Sequence, residues 1–221
     1  MLTMTYQDLE HLLEQEAILV FPKFDLTDAY ALGTKLYQDG HTEPRPIAVR
    51  IILDDLTVYQ AFMPGTNEGN NGWMNRKCAT VNRTHGCSLR ALAERELFGA
   101  CEVWENDEVH YALCGGAFPI LVQGAEDVEP EFRGIATISG LPHLEDHRRL
   151  TQSIAEYFCD VKNLRAELSA NLPEDTTQEA VANASAWELL QLEYYNDPDH
   201  MVFLGDLPEE ELAALYDFEE E

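Results

Sequence analysis

Two segments of the chain, residues 111–120 and 137–147, constrain its fold more than any other part of the sequence. The first reads YALCGGAFPI and the second reads TISGLPHLEDH. Each places a turn of small residues against an apolar strand, and the second continues into a helix whose first turn carries two acids and a histidine. Pro142 suits the start of that helix, where its missing N–H group would have no partner anyway. We therefore predict two core strands, over about 117–123 and 134–139, and a helix after the second.

The N-terminal part of the chain predicts two capped helices. Thr5 and Asp8 have the spacing of a capping box, and apolar residues recur behind them at helical intervals. Asp25 and Asp28 begin a second helix in the same way, and Gly40 ends it.

A β-hairpin and a third helix are predicted next. Apolar side chains alternate over residues 47–53, Asp54-Asp55 makes a turn, and residues 56–62 form the returning strand. A loop rich in Gly and Asn over residues 64–72 then leads to Trp73, where we expect a helix to begin.

The remaining segments complete an α+β order of elements. We expect a short helix over residues 91–97, followed by a strand. The helix after Pro142 carries a buried apolar stripe that includes Leu150 and Ile154. Helices that alternate with hairpin-connected strands indicate an α+β domain built on an antiparallel sheet.

Composition excludes several classes of protein. The chain has 221 residues and a formal net charge of −27, so its surface repels phosphate backbones and we expect no nucleic-acid partner. We expect no membrane association, because no apolar run reaches the roughly 18 residues that span a bilayer. An N-terminus without a basic or apolar leader and an odd number of cysteines, five, favour a cytoplasmic location.

The acidic charge is concentrated at the C-terminal end. Arg165 is the last Lys or Arg, and residues 166–221 hold 16 of the 41 acids. We predict a domain over residues 1–162 and an acidic, partly helical extension over 163–221. The extension either recruits a basic protein partner or acts as a solvated tail. A helix capped near Thr176 carries large apolar side chains on one stripe, so we expect it to dock on the body or on a sister subunit.

Trp73, Arg76 and Lys77 form the first candidate ligand site. Their spacing of i, i+3 and i+4 places a large ring and two cations on one helical face. Such a face could stack on a planar ligand and pair with its carboxylates. The same spacing is also typical of a core Trp flanked by two solvated cations.

The two opening segments, with residues 12–25 and 63–77, resemble the haem-degrading-domain family of HbpS-like and GlcG-like proteins. The resemblance implies a profilin-like sheet flanked by helices, and haem as the possible cofactor. Family members usually carry histidines where this chain reads Arg83-Thr84-His85-Gly86 and Cys114-Gly115. His85 and Cys114 therefore stand as the candidate metal ligands, or the site has been lost. A Cys beside Gly-Gly is also typical of a small buried hydrophobe.

His147 completes the candidate site residues. It ends a Glu-Asp-His triplet that matches the family motif, and a carboxylate beside an imidazole can orient the ring or hold a proton. Alternatively, the acids complement the helix dipole and His147 faces a neighbouring subunit.

Two functions are consistent with these features. The first is a haem-binding protein of the haem-degrading family, in which we expect binding without turnover because the substitutions fall on the histidine positions. The second is a non-catalytic homo-oligomeric scaffold or chaperone-associated protein whose acidic extension recruits a partner. A small-molecule-binding enzyme accessory, after the GlcG-like relatives, is a third and weaker possibility.

Overall fold

The computed structural model describes residues 4–100, 102–124, 128–173 and 176–196. The helices in chain order are α1 Tyr6–Ile18, α2 Leu26–Gly40, α3 Glu68–Thr84, α4 Ser88–Phe98, α5 His143–Phe158, α6 Val161–Ala170, α7 Gln178–Asn183 and α8 Ala186–Asn196. The strands are β1 Val20–Phe21, β2 Ala48–Leu53, β3 Leu56–Phe62, β4 Ala117–Val122 and β5 Glu131–Ser139, and a 3₁₀ turn spans Val103–Asn106. None of the helices in these ranges is long and apolar enough to cross a bilayer.

The described strands form one sheet in the order β1-β4-β5-β2-β3. Neighbours are antiparallel except β1, which pairs parallel with β4. The predicted α+β class is confirmed, but the sheet is mixed where a wholly antiparallel one was expected. No hairpin joins β1 to β4, so their relative direction is set by tertiary packing and not by a turn.

Helix starts and the hairpin follow the sequence closely. Thr5 with Asp8 and Asp25 with Asp28 form complete capping boxes at α1 and α2. Asp54 and Asp55 have φ angles of 48° and 64°, the left-handed pair that a two-residue hairpin turn requires.

Two predictions in the middle of the chain were wrong. Helix α3 begins at Glu68, well before Trp73, because the Asn67 side chain accepts from Gly69 N at 2.8 Å and caps the helix. No strand follows α4 in the described part of residues 99–116. There the Asp107 carboxylate accepts from the backbone of Val109 and His110 and folds the segment into a turn.

The helix predicted after Thr176 is two helices, separated at Ala184–Ser185. Ser185 and Glu188 cap the second one reciprocally, which stops α7 from continuing. Helix α8 packs on α1 and α5 with Leu189 and Leu190 buried, so the expected docking on the body is confirmed for the described part.

The proposed division at residue 162 stays a prediction, and it falls inside α6. Residues 197–221, which end the acidic extension, lie outside the described residues. Any contact that they make with a basic partner lies outside them too.

The sheet separates two different layers. Helices α1, α2 and α5 cover one side, where the main hydrophobic core includes Ile51, Phe118 and Ile138. Helix α3 covers the other side and lies mainly over β4 and β5. Among the described residues, a small apolar cluster forms there, around Cys78 and Ile135, and polar side chains are buried beside it.

Candidate functional site

A buried ion pair joins helix α3 to the second of the two segments that opened the sequence analysis. Lys77 Nζ on α3 donates to Asp146 Oδ2 on α5 at 2.8 Å and to the Ile138 carbonyl at 3.1 Å. Both side chains are about 3% exposed. Burial raises the pKa of Asp146, and the adjacent Lys77 acts in the opposite direction. Leu141 N also donates to this carboxylate, so the acid of the Glu-Asp-His triplet anchors the start of α5.

The Gly-Gly turn is required by the same contact. Gly116 has a φ of +112°, and a Cβ at this position would lie 2.4 Å from Lys77 Nζ. A Cβ on Gly115 would lie 2.1 Å from the His143 carbonyl oxygen. The turn is therefore a close-packed joint between β4, α3 and α5.

Trp73 and Arg76 remain at the surface, whereas Lys77 does not join them. The Arg76 guanidinium lies 3.9 Å from the centre of the Trp73 ring and donates to the Glu108 carbonyl at 2.9 Å. Trp73 is 45% exposed. The predicted face of one ring and two cations is thus reduced to one ring and one cation, because Lys77 points into the protein.

His147 is buried in the layer between α1 and α5. Its Nε2 lies 2.8 Å from Gln15 Oε1, and Gln15 Nε2 lies 3.2 Å from His11 Nε2. The amide oxygen accepts, so His147 Nε2 carries the proton and Nδ1 is a bare acceptor. Nδ1 is buried without a partner among the described residues. Burial is the main cause that lowers the pKa of His147 to about 3, so the ring is neutral near pH 7.

Two small cavities lie in the described part of the chain. One, of about 250 Å³, lies between α1 and α5 and is lined by His147, Gln15 and, from α8, Trp187. The other, of about 320 Å³, lies beside α4 and is lined by Arg95 and Trp104 among others. Ligand pockets usually span about 300–1,000 Å³, so both are at or below the lower end of that range.

His85 and Cys114 occupy different surroundings. His85 ends α3 with a φ of 55°, and its exposed ring stacks on Phe132 at 4.3 Å. Cys114 is half-buried before the Gly-Gly turn, and burial raises the pKa of its thiol. No group of three or more His, Cys, Asp or Glu side chains is arranged to hold a metal ion in the described ranges. His85 and Cys114, together with His147, therefore form no joint metal site there.

A polar cluster that the sequence analysis missed surrounds Arg50. This side chain is buried on the α3 side of β2 and donates to three amide oxygens, those of Gln60, Asn71 and Asn75. The one indication in the sequence is an arginine within an otherwise apolar strand.

These side chains are better suited to bind the ring and the propionates of a haem than to ligate its iron. Trp73 offers a half-exposed ring and Arg76 a cation for a propionate, which are the groups that hold a porphyrin by its plane and its acids. A thiol kept protonated by burial is a poor iron ligand, and His147 lies in a cavity below the usual size of ligand pockets. His85 is the accessible imidazole of the three candidates.

Comparisons with known proteins agree with the motifs. The family model described as haem degrading protein HbpS-like matches residues 24–155. A UPF0303 protein of Brucella anthropi is 33% identical over 156 residues, covering 69% of this chain and 88% of the relative. A UPF0303 protein of Mesorhizobium japonicum is 34% identical over 153 residues, covering 68% and 89% respectively.

A solved structure supports the same assignment. The crystal structure of the Ybr137w protein has a TM-score of 0.55 and 26% identity, and the likeness covers 66% of this chain and 85% of that one. The family match takes in the capped helix α2, the hairpin, the Gly-Gly turn and the Glu-Asp-His triplet. The chain therefore belongs to the HbpS-like haem-degrading family.

Proposed function

We propose that the protein binds a porphyrin such as haem on the outer surface of α3, through Trp73 and Arg76, and does not degrade it. The observation that carries this proposal is the stacked pair itself: the half-exposed Trp73 ring carries the Arg76 guanidinium on one face, and this cation is not in an ion pair with any described acid. Membership of the haem-degrading family supports the class of ligand.

Binding without turnover follows from the donor set. Ring stacking and propionate pairing do not require an iron ligand. The candidate ligands are either dispersed or buried, and the described cavities are small. We therefore expect iron-free protoporphyrin IX to bind about as tightly as haemin.

The test compares both porphyrins on four proteins, the parent and three variants, by absorption and Trp fluorescence titration. Arg76→Ala and Trp73→Ala should each weaken binding by about tenfold, which corresponds to the loss of about 1.4 kcal/mol. Arg83→Ala is the matched control, because Arg83 lies 5.3 Å from the Trp104 ring and makes a second cation–π pair elsewhere on the surface. Equal affinity in Arg76→Ala and the parent protein would refute the site. Much tighter binding of haemin than of protoporphyrin would show that the iron is ligated.

A second function, self-association, is favoured by strand β3. It is an edge strand, and its seven residues, LTVYQAF, include no charge and no proline. Natural edge strands are usually protected by such residues, so an uncharged edge is suited to pairing with another strand. Leu56 and Phe62 at its two ends are 56% and 40% exposed. We propose that two copies pair through β3 to form a homo-oligomer.

Analytical ultracentrifugation measures the mass of the assembly and so tests this proposal directly. Phe62→Lys should lower the mass of the assembly, whereas Val103→Lys should not, because Val103 is exposed away from the sheet. A monomeric parent protein at all concentrations, or an assembly that Phe62→Lys leaves intact, would exclude the β3 interface.

A further inference from the structure

Arg50 is a buried cation without a carboxylate partner. It is 8% exposed, and no acid lies within ion-pair distance of it in the described ranges, although the whole chain has 41 acids. A guanidinium stays charged at any physiological pH, and a buried charge is costly unless it is paired. The arrangement therefore lacks one negative charge.

Three neutral amides take the place of that charge. Arg50 Nε donates to Gln60 Oε1 at 2.8 Å, Nη1 to Asn75 Oδ1 at 2.8 Å and Nη2 to Asn71 Oδ1 at 2.7 Å. The thiol of Cys78 also lies near the guanidinium, and burial raises the pKa of this thiol to about 11, so that it too is uncharged near pH 7.

These bonds fix which way each amide points. Arg50 has only donors, so each amide must present its oxygen to the guanidinium and turn its NH₂ group away. None of the three NH₂ groups donates to an acceptor in the described part of the chain. The result is a surface that offers one cation and three amide donors, and no acceptor.

Two members of the cluster reach the protein surface. Gln60 lies on β3 and is exposed, as is Asn75 on α3, and α3 itself lies mainly over β4 and β5. The cluster therefore lies between α3 and β3, with Arg50 buried and with Gln60 and Asn75 exposed. They are distinct from the Trp73–Arg76 pair and do not depend on a porphyrin.

We infer that Arg50, Gln60, Asn71 and Asn75 form a binding site for a small oxyanion, a carboxylate or a phosphate. Its oxygens accept from the amide NH₂ groups, and its negative charge offsets the positive charge of the buried Arg50. The net charge of the chain opposes anion binding, but salt at about 0.15 M screens exposed charges beyond roughly 8 Å. The local donors therefore decide the outcome at physiological ionic strength.

The experiment follows the side-chain amide signals of the full-length protein by ¹H–¹⁵N NMR. Sodium acetate and sodium phosphate replace sodium chloride at constant ionic strength. The NH₂ signals of Gln60, Asn71 and Asn75 should shift with saturation, and the anion with the lower Kd identifies the preferred oxyanion. Asn70 is the internal control, because its NH₂ group already donates to the Ser139 carbonyl at 3.1 Å.

Gln60→Glu supplies the missing charge within the chain. The carboxylate takes the place of the amide against Arg50, so this variant should melt at a higher temperature in chloride and bind acetate or phosphate at least about tenfold more weakly. Gln38→Glu changes the net charge equally on the exposed surface of α2 and should do neither. Amide signals that do not respond to either anion, or a Gln60→Glu variant that binds as well as the parent, would overturn the site.

Discussion

On one side of the sheet, α1, α2 and α5 bury a continuous apolar core, with Ile51, Phe118 and Ile138 fully enclosed. On the other side, α3 buries two cations, Lys77 and Arg50, with only a small apolar cluster between them. The first side is stabilised by the apolar surface that is removed from water, and the amount of that surface depends on the volume and shape of the side chains. The second depends on specific partners, because a buried charge that loses its partner destabilises the fold. The two sides should therefore respond to different substitutions.

The largest effect should come from removing the layer that extends the apolar side. Truncation after Leu172 deletes α7 and α8, which bury Val181, Leu189 and Leu190 against the body. Each side chain contributes roughly 1.5–3 kcal/mol, so stability should fall by about 5 kcal/mol in chemical denaturation. Truncation after Asn196 removes acids but keeps both helices, and serves as the control. If the two truncations have the same midpoint, α7 and α8 do not stabilise the body.

On the α3 side, Asp146→Ala should cost about 3–5 kcal/mol, because it leaves the Lys77 ammonium buried without its counter-charge. Urea unfolding gives the value. The double variant Asp146→Ala/Lys77→Met removes both charges and should recover part of the loss. A double variant no better than the single one would mean that packing, and not the ion pair, explains the cost.

Ile51→Ala tests the apolar side alone. Ile51 is fully buried in the main core, as its place in the alternating strand predicts, and its truncation should cost about 2–5 kcal/mol. Ile52, the next residue, faces α3 and is only partly buried, so Ile52→Ala should cost less in the same unfolding experiment. The reverse order would mean that the two faces of β2 are assigned backwards.

The smallest predicted effect is a pH dependence from His147. Its pKa is lowered from 6.5 to about 3 in the folded protein, so the unfolded chain binds a proton that the folded one does not as pH falls below 6.5. The contribution of His147 to the free energy of unfolding is therefore fully present above pH 6.5. Below pH 6.5 it falls by about 1.4 kcal/mol per pH unit, so that about 2 kcal/mol is lost at pH 5. His147→Gln should flatten the pH profile of unfolding stability between pH 6.5 and 5.

Local chemistry explains what the sequence predicts well. Capping boxes at Thr5 and Asp25 and the hairpin turn at Asp54-Asp55 depend on neighbours in the chain, so their positions can be derived from spacing. Helix α3 began earlier than expected because one Asn cap outweighed a run of weak helix formers. The parallel β1–β4 pair depends on contacts between distant segments and has no local pattern.

The candidate site was harder to predict for the same reason. Helical spacing groups Lys77 with Trp73 and Arg76, but the burial of Lys77 depends on Asp146, which lies 69 positions away. Arg50 lay in a strand read for its apolar alternation, and the amides that surround it come from β3 and α3. Sequence spacing indicates which residues share a face, whereas only the folded chain shows which partners reach them.

The Gly-Gly turn limits the substitutions that this fold can accept. A side chain at Gly115 or Gly116 would collide with α5 or with Lys77, so any descendant that keeps this fold must keep the turn, whatever it binds. Selection for folding alone is enough to retain the most recognisable stretch of the sequence. Position 114, immediately before the turn, is under no such requirement, because Cys114 is only half-buried. The motif therefore reports the shape of the fold and not the chemistry of a ligand.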